Sequence, residues 1–124
     1  MKFDAIAAFA LGDLAIPEHA LDMAATLLID TVGVAAGASD LEVAHIARDH
    51  VCAFHAAGAP EHSASLLFDG REVSIPGAAF ATATQIDNLD AHDGYNPTKG
   101  HIGCAVVPAL FAFAEAQRNL LGRD

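Results

Sequence analysis

Ionisable side chains are concentrated in one short segment, from Asn88 to Cys104, of a chain otherwise rich in small apolar residues. The candidates for chemistry in this segment are Asp90, His92, Asp93, Lys99 and His101. Histidine exchanges a proton near neutral pH, lysine binds a carboxylate, and aspartate can orient or assist both groups. Converging on a pocket, these residues would transfer a proton beside an anionic substrate.

Two other interpretations of the segment stay open at this level. It could be a polar connection whose loop neutralises an acidic helix end. It could also bind a divalent metal, since clusters of acids and histidines do so; the ligands would be Asp90, His92, Asp93 and His101. Their spacing matches no strong metal signature, so no metal is predicted.

The spacing of three aspartates favours a functional use. Asp87, Asp90 and Asp93 are three residues apart, and three residues rotate an α-helix by about 300°. If the preceding helix extends this far, all three carboxylates lie on one side of its C-terminal end. The helix dipole and mutual repulsion oppose that arrangement, so a compensating cation is expected, and Lys99 and His101 follow in the loop.

The elements that must position these residues are mostly helical, which predicts a mainly α fold. Periodicity, caps and stop signals indicate about five helices, over residues 2–11, 18–36, 41–57, 76 to about 93 or 94, and 104–120. Residues 63–75 instead predict one short β-hairpin with a turn at Asp69-Gly70. The candidate site then lies between the fourth and fifth helices.

Helical periodicity also predicts which faces are buried. The second helix is apolar on nearly every side, so we expect it to be buried all round. The residues predicted to face inward on the third and fifth helices are Val43, Ile46, Ala47, Val51, Phe54, Val107, Leu110, Phe111 and Ala114. His45, His50 and His55 are five residues apart, about 140° around the helix, which favours surface histidines over a metal site.

Charge and composition exclude some classes of function. The net charge of −10 opposes binding to nucleic acid. The apolar run from Met23 to Ala38 is interrupted by polar residues and is too short for a bilayer, so no membrane partner is predicted. The hydrophobic share of 53% is high for a single domain of 124 residues, which indicates a surface that packs against a partner or another part of the protein.

The cysteines and the N-terminus predict a cytoplasmic protein. Cys52 and Cys104 form no CxxC pair and are expected to be two ordinary buried thiols in a reducing compartment. The first residues carry an early acid and are more typical of an amphipathic helix than of a signal peptide.

Three segments resemble, in order, the N-terminal part of the MmgE/PrpD family. They are IDTVGVAAGAS (Ile29 to Ser39), PGAAFATATQIDNLDAHDG (Pro76 to Gly94) and KGHIGCAVVPALFAFAE (Lys99 to Glu115). The resemblance implies that residues 1–124 form the N-terminal part of a large helical domain. The rest of that domain and a separate α+β lid domain would be absent, so the chain is expected to be an incomplete fragment, inactive alone.

The resemblance also implies a chemistry. Members include 2-methylcitrate dehydratase, cis-aconitate decarboxylase and iminodisuccinate epimerase, which act on small di- or tricarboxylic acids without a metal or organic cofactor. The expected function is therefore a segment of a lyase or isomerase, similar to the dehydratase, that abstracts a proton from a polycarboxylate. Its expected partners are further copies, as in a homodimer, or the remainder of the enzyme. The alternative is a non-catalytic helical association module.

The resemblance assigns roles to five residues. Asp90 matches the first aspartate of the family's Asp-x-Asp-Asp-Thr-like stretch, and His101 matches the histidine of its His-Pro-Ser-like stretch. Both line the active site in relatives, so they are the expected catalytic residues. Lys99, His92 and Asp93 are expected to bind substrate.

The sequence also departs from the family pattern. His92 stands where relatives often have an aspartate, and Gly94 stands where they have threonine or serine. Ile102-Gly103 replaces the Pro-Ser that follows the histidine, and Lys99 stands where some relatives have arginine.

Overall fold

Within residues 2–117, the part of the chain that the computed structural model describes, the protein forms five α-helices and one β-hairpin. The helices are α1 (Phe3–Leu11), α2 (Glu18–Gly37), α3 (Glu42–Phe54), α4 (Ile75–Leu89) and α5 (Gly103–Gln117). A 3-10 helix at Pro60–His62 precedes strands β1 (Ser63–Ser65) and β2 (Glu72–Ser74). The predicted mainly α fold is confirmed; the predicted last residues of the fifth helix lie outside the described part.

Helix α4 is central, in contact with α2, α3, α5 and both strands. Its start follows from local sequence: the Ser74 hydroxyl accepts a hydrogen bond from the Gly77 amide at 3.2 Å, and Pro76 occupies the first turn. Two apolar clusters flank α4. The larger contains Ala47, Val51, Ala64, Leu66, Val73, Ile75, Ala78, Ala81 and Ala112. The smaller contains Val34, Ala35, Ile86 and Cys104, and the Cys104 thiol contacts the His101 carbonyl.

A buried arginine ties four elements together. Arg48 on α3 donates to the Ser39 carbonyl at 2.7 Å and to Gln85 on α4 at 3.4 Å. Its Nε lies 3.6 Å from the Asp69 carboxylate in the hairpin turn. Gln85 in turn donates to the Ala35 carbonyl at the end of α2, at 2.6 Å. A polar residue therefore occupies the inward face of α3.

The β-hairpin is confirmed, but its predicted turn is wrong. Ala64 pairs with Val73 at the centre of the antiparallel ladder. The turn spans more than Asp69-Gly70, because the Leu66 amide donates to the Arg71 carbonyl at 2.8 Å and the chain closes over the residues between them. Phe68 and Gly70 both have positive φ, 63° and 84°. A left-handed phenylalanine is rare, so local propensity gave no signal for this wider turn.

Several predicted inward faces are wrong. On α3 the predicted burial of Ala47 and Val51 is confirmed, but Val43, Ile46 and Phe54 are exposed. Ala44 and Arg48 complete the inward face. On α5 the buried residues are Cys104, Pro108 and Ala112, whereas Leu110, Phe111 and Ala114 are exposed and Val107 is half-buried. Only Thr31, Val34 and Ala35 are buried on α2, so the prediction that this helix is buried all round is wrong within the described residues. His45 and His50 are exposed, as predicted, and His55 is half-buried.

The length of helix α2 also differs from the expectation that its apolar run is too short for a bilayer. The helix has 20 residues, and an 18-residue window of it has a mean hydropathy of 1.4, so it is long and apolar enough to cross a membrane by length and composition alone. The prediction that its apolar run is too short is therefore wrong. Core helices of water-soluble proteins and N-terminal signal sequences satisfy the same two criteria.

Candidate functional site

The candidate site lies where α4 ends and the chain turns into the loop before α5. Helix α4 stops at Leu89 because Asp90 adopts a left-handed conformation (φ 52°, ψ 34°), and the Asp90 amide closes the last turn on the Asp87 carbonyl. Aspartate tolerates this conformation better than most residues do. The predicted extension of the helix to Asp93 or Gly94 is therefore wrong, and the three aspartates do not share one helix face.

Because α4 ends at Leu89, Asp93 lies in the loop and not on the helix as predicted. Its carboxylate accepts a hydrogen bond at 2.9 Å from the amide of Gly103, the first residue of α5. A negative charge is favourable at a helix N-terminus, where amides are unpaired and the dipole is positive. Asp93 therefore joins the end of α4 to the start of α5 and fixes the loop between them.

The loop itself folds back as a tight turn. Tyr95 and Gly100 form an antiparallel bridge, with the Tyr95 amide 3.0 Å from the Gly100 carbonyl. Within the turn, Thr98 donates from its amide to the Tyr95 carbonyl, and Lys99 has a positive φ of 55°. Lys99 and His101, the sequence neighbours of Gly100, therefore both lie at this turn.

His92 and His101 form a pair. Their Nδ1 atoms are 3.0 Å apart, and the rings meet edge to face with centroids 4.4 Å apart. Nδ1 of His101 also lies 2.6 Å from the backbone carbonyl of Asp93. On the other side of His92, its Nε2 lies 3.3 Å from Asp87 and 3.9 Å from Asp90. A chain of contacts thus runs from two carboxylates through His92 to His101.

The two histidines differ in exposure. The His92 side chain is only 5% exposed, whereas His101 is exposed. The Asp90 side chain is 94% exposed and touches the cluster only through His92. His101 is therefore the histidine that a ligand can reach.

A cavity of about 270 Å³ opens beside His101. Its lining consists of Gly94, Tyr95, Asn96, Lys99, Gly100 and His101. The Lys99 ammonium donates to the Asn96 side-chain oxygen, and an ammonium has three donors, so others remain for a ligand. A cation and a proton acceptor therefore share one cavity.

The missing side chain at Gly94 affects the same cavity. A Cβ at this position would lie 3.4 Å from Cε1 and 3.5 Å from Nδ1 of the His101 ring. Any side chain at this position would therefore contact the His101 ring at Cε1 and Nδ1, and glycine omits that contact.

Cys104 lies in a negatively charged environment beside the carboxylates of Asp87 and Asp93. Burial raises the pKa of the Cys104 thiol, and the nearby carboxylates of Asp87 and Asp93 raise it further. The thiol donates to the His101 carbonyl at 3.2 Å. Burial and the neighbouring carboxylates both favour the protonated thiol, which is the less nucleophilic form, and the thiol supports the loop through its contact with the His101 carbonyl.

The metal alternative gains no support. In the described part of the chain, no group of three or more His, Cys, Asp or Glu side chains is arranged to hold a metal ion. One histidine ring nitrogen already faces a backbone carbonyl, and the Asp93 carboxylate already faces the Gly103 amide.

The structure brings four of the five predicted site residues together around one loop. His92, Asp93 and His101 are in contact, and Lys99 shares the cavity with His101. Asp90 does not line the cavity. Tyr95 and Asn96 were missed as lining residues, and Asp87 as the partner of His92. Tyr95 and Asn96 lie in the polar segment and Asp87 lies directly before it, but the sequence did not show how the segment folds.

Comparison with known families identifies the family of this chain. The family model described as MmgE/PrpD N-terminal domain matches residues 5–124. The chain belongs to the MmgE/PrpD family. A search of curated proteins and a search of solved structures each gave no match. Membership confirms the suspected family and N-terminal segment, while the roles of Asp90, His92, Asp93, Lys99 and His101 stay predictions.

Proposed function

We propose that this chain forms part of the active site of a cofactor-independent lyase or isomerase that acts on a small di- or tricarboxylic acid. A reaction similar to that of 2-methylcitrate dehydratase fits best. The observation that carries the proposal is the shared cavity, which His101 and Lys99 line together. Membership of the MmgE/PrpD family supports the same class of chemistry.

The proposed step is proton abstraction next to a carboxylate. The Lys99 ammonium binds one carboxylate of the substrate, and His101 accepts a proton from the adjacent carbon. Negative charge that develops on the substrate is stabilised by the ammonium. In elimination, the electron pair of the broken C–H bond forms the new double bond as hydroxide leaves from the neighbouring carbon. Asp90 assists from a distance through its contact with His92.

The cavity is one wall of the proposed site. Tyr95, Asn96, Lys99 and His101 are all exposed around it, and a catalytic pocket excludes most water from its substrate. We therefore infer that further residues, from another part of the enzyme or a second copy, close the pocket. A cytoplasmic setting is consistent with the two free cysteines, Cys52 and Cys104.

Calorimetric titration with citrate tests the proposal on the 124-residue chain. We expect saturable binding that weakens by about tenfold or more in Lys99→Ala and His101→Ala, since each variant removes a charged or strongly polar contact. His19→Ala, at an exposed histidine of α2, is the matched control and leaves affinity unchanged. Acetate, with one carboxylate, binds more weakly than citrate. Citrate binding that is equal in all three variants refutes the assignment.

A second candidate function has its own observation. Large apolar side chains are exposed over α1, α2 and α5, among them Phe9, Ile29 and Leu110. Such a surface fits a non-catalytic helical module that associates through these faces. This candidate predicts no citrate binding at the loop, so the same titration separates the two.

A further inference from the structure

His92 is buried beside His101, and its contacts determine which nitrogen carries its proton. Its Nε2 faces carboxylate oxygens, at 3.3 Å on Asp87 and 3.9 Å on Asp90. A carboxylate only accepts, so the neutral His92 ring carries its hydrogen on Nε2. Its Nδ1 is then a bare acceptor. The contact from this Nδ1 to the Asp93 carbonyl is 3.5 Å, too long for a good hydrogen bond.

The contacts of His101 determine its tautomer in the same way. Its Nδ1 lies 2.6 Å from the Asp93 carbonyl, which only accepts, so Nδ1 carries the hydrogen. The bare Nδ1 of His92, at 3.0 Å, is a second acceptor for that hydrogen. The Nε2 of neutral His101 is then unprotonated. In this assignment every ring N–H in the pair has an acceptor.

We infer that His92 is a positioning residue, held by Asp87, that keeps Nε2 of His101 bare and ready to accept a proton. The same contacts stabilise the charged ring after transfer, because His92 offers a lone pair to the imidazolium and a carboxylate lies behind it. The inference rests on the proposed function in one respect, that Nε2 of His101 accepts a proton from the substrate. His92 itself is only 5% exposed, so it acts through His101 and not on substrate.

Long-range proton–nitrogen NMR of the 124-residue chain, with labelled histidine at a pH where the pair is neutral, measures the two tautomers directly. We expect the Nε2–H form for His92. For His101 we expect an excess of the Nδ1–H form of about five- to tenfold, the ratio that one net hydrogen bond supplies. A predominant Nε2–H form of His101 in the wild-type chain overturns the inference.

Variants test whether His92 causes this preference. His92→Leu removes the second acceptor and leaves the Asp93 carbonyl in place, so the His101 tautomer ratio should move part of the way toward that of the exposed His19. His92→Gln keeps an amide oxygen and an amide donor and should restore much of the excess. Asp87→Ala tests the same chain of contacts without leaving a cavity in the core, because the Asp87 side chain is 69% exposed. The matched control is Asp40→Ala, at another exposed aspartate. An unchanged His101 ratio in a folded His92→Leu or Asp87→Ala chain refutes the role.

Citrate affinity separates this inference from the proposed function. Lys99→Ala should weaken citrate binding and leave the His101 tautomer ratio unchanged, because Lys99 lines the cavity whereas the tautomer depends on the contacts with His92 and Asp93. A tautomer ratio that changes as much in Lys99→Ala as in His92→Leu would overturn the positioning role. If the wild-type chain binds no citrate, the proposed function fails, whereas the tautomer measurement still decides the role of His92.

Discussion

At the scale of single residues, the two cysteines differ in environment and should differ in reactivity. Cys104 is buried and its thiol pKa is raised, whereas Cys52 is half-buried and lines an open groove beside Arg71. The thiolate is the nucleophile, so at mildly alkaline pH iodoacetamide should modify Cys52 at least about tenfold faster. Mass spectrometry of the two peptides measures the rates. Equal rates in the folded chain would contradict the burial of Cys104; equal rates in urea are the control.

Asp69 links the hairpin turn to the buried Arg48 and predicts a pH dependence. A hydrogen bond from the Arg71 side chain holds the pKa of the Asp69 carboxyl below its usual value. The folded pKa is therefore below the unfolded one, so this carboxylate contributes stability above about pH 4, and the contribution is lost as pH falls through the folded pKa.

Asp69→Asn should lower the free energy of unfolding by about 1–3 kcal/mol at neutral pH, since it weakens contacts to both arginines. The difference from wild type should shrink in acid. Asp49→Asn is the matched control, because Asp49 also pairs with Arg71 but is 71% exposed, and it should cost under about 1 kcal/mol. Urea titrations over a pH series measure both variants. A deficit of Asp69→Asn that grows in acid would contradict this account.

At the scale of elements, Gly77 permits the close packing of α4 on the end of α3. A Cβ at Gly77 would lie 2.8 Å from Cβ of His55 and 3.2 Å from the Ser74 hydroxyl that caps α4. Gly77→Ala should therefore destabilise the fold by about 1–3 kcal/mol through overpacking. Gly33→Ala, where nothing lies within 4 Å, should stabilise α2 by up to about 1 kcal/mol. Chemical denaturation measures both, and equal effects would argue against the close contact.

The elements also show how far the sequence predicts this fold. Helix starts were accessible because their signals are local, as at Pro76 in the first turn of α4. The end of α4 could not be predicted, because the three-residue spacing of Asp87, Asp90 and Asp93 is also compatible with a helix that continues. The left-handed turn at Asp90 lets Asp93 bind the Gly103 amide, a contact across the loop that no local pattern contains. The predicted DG turn failed for a similar reason, since Phe68 adopts an unfavourable conformation.

The candidate site was predictable in composition but not in arrangement. The polar segment and the resemblance identified His101 and Lys99, and the loop does place both at one cavity. The pairing of His92 with His101, and of His92 with Asp87, depends on where α4 ends. Inward faces were also mispredicted where a polar residue, Arg48, took the core position that apolar periodicity gave to its neighbours.

At the scale of the whole molecule, exposed apolar faces predict association between copies of the chain. An apolar groove of about 320 Å³ between α2 and α5 is lined in part by Leu27, Ile102, Val106 and Leu110. Monomeric water-soluble proteins rarely expose large contiguous apolar patches, which usually mark an interaction site. We expect sedimentation velocity to show concentration-dependent oligomers, reduced in Leu110→Glu and unchanged in the control Gln117→Glu. A monomer at all concentrations would contradict a partner role for this face.

The central claim is that His101 and Lys99 form one site for a carboxylate-bearing substrate. Citrate titration followed by the NMR signals of the His101 ring and the Lys99 ammonium tests it most directly, because it observes both groups in one experiment. Both signals should shift together and saturate with one dissociation constant. The Lys99 response should be lost in His101→Ala, and the His101 response should be lost in Lys99→Ala. Citrate that leaves the His101 ring unmoved, or that moves the two signals with different dissociation constants, would contradict it.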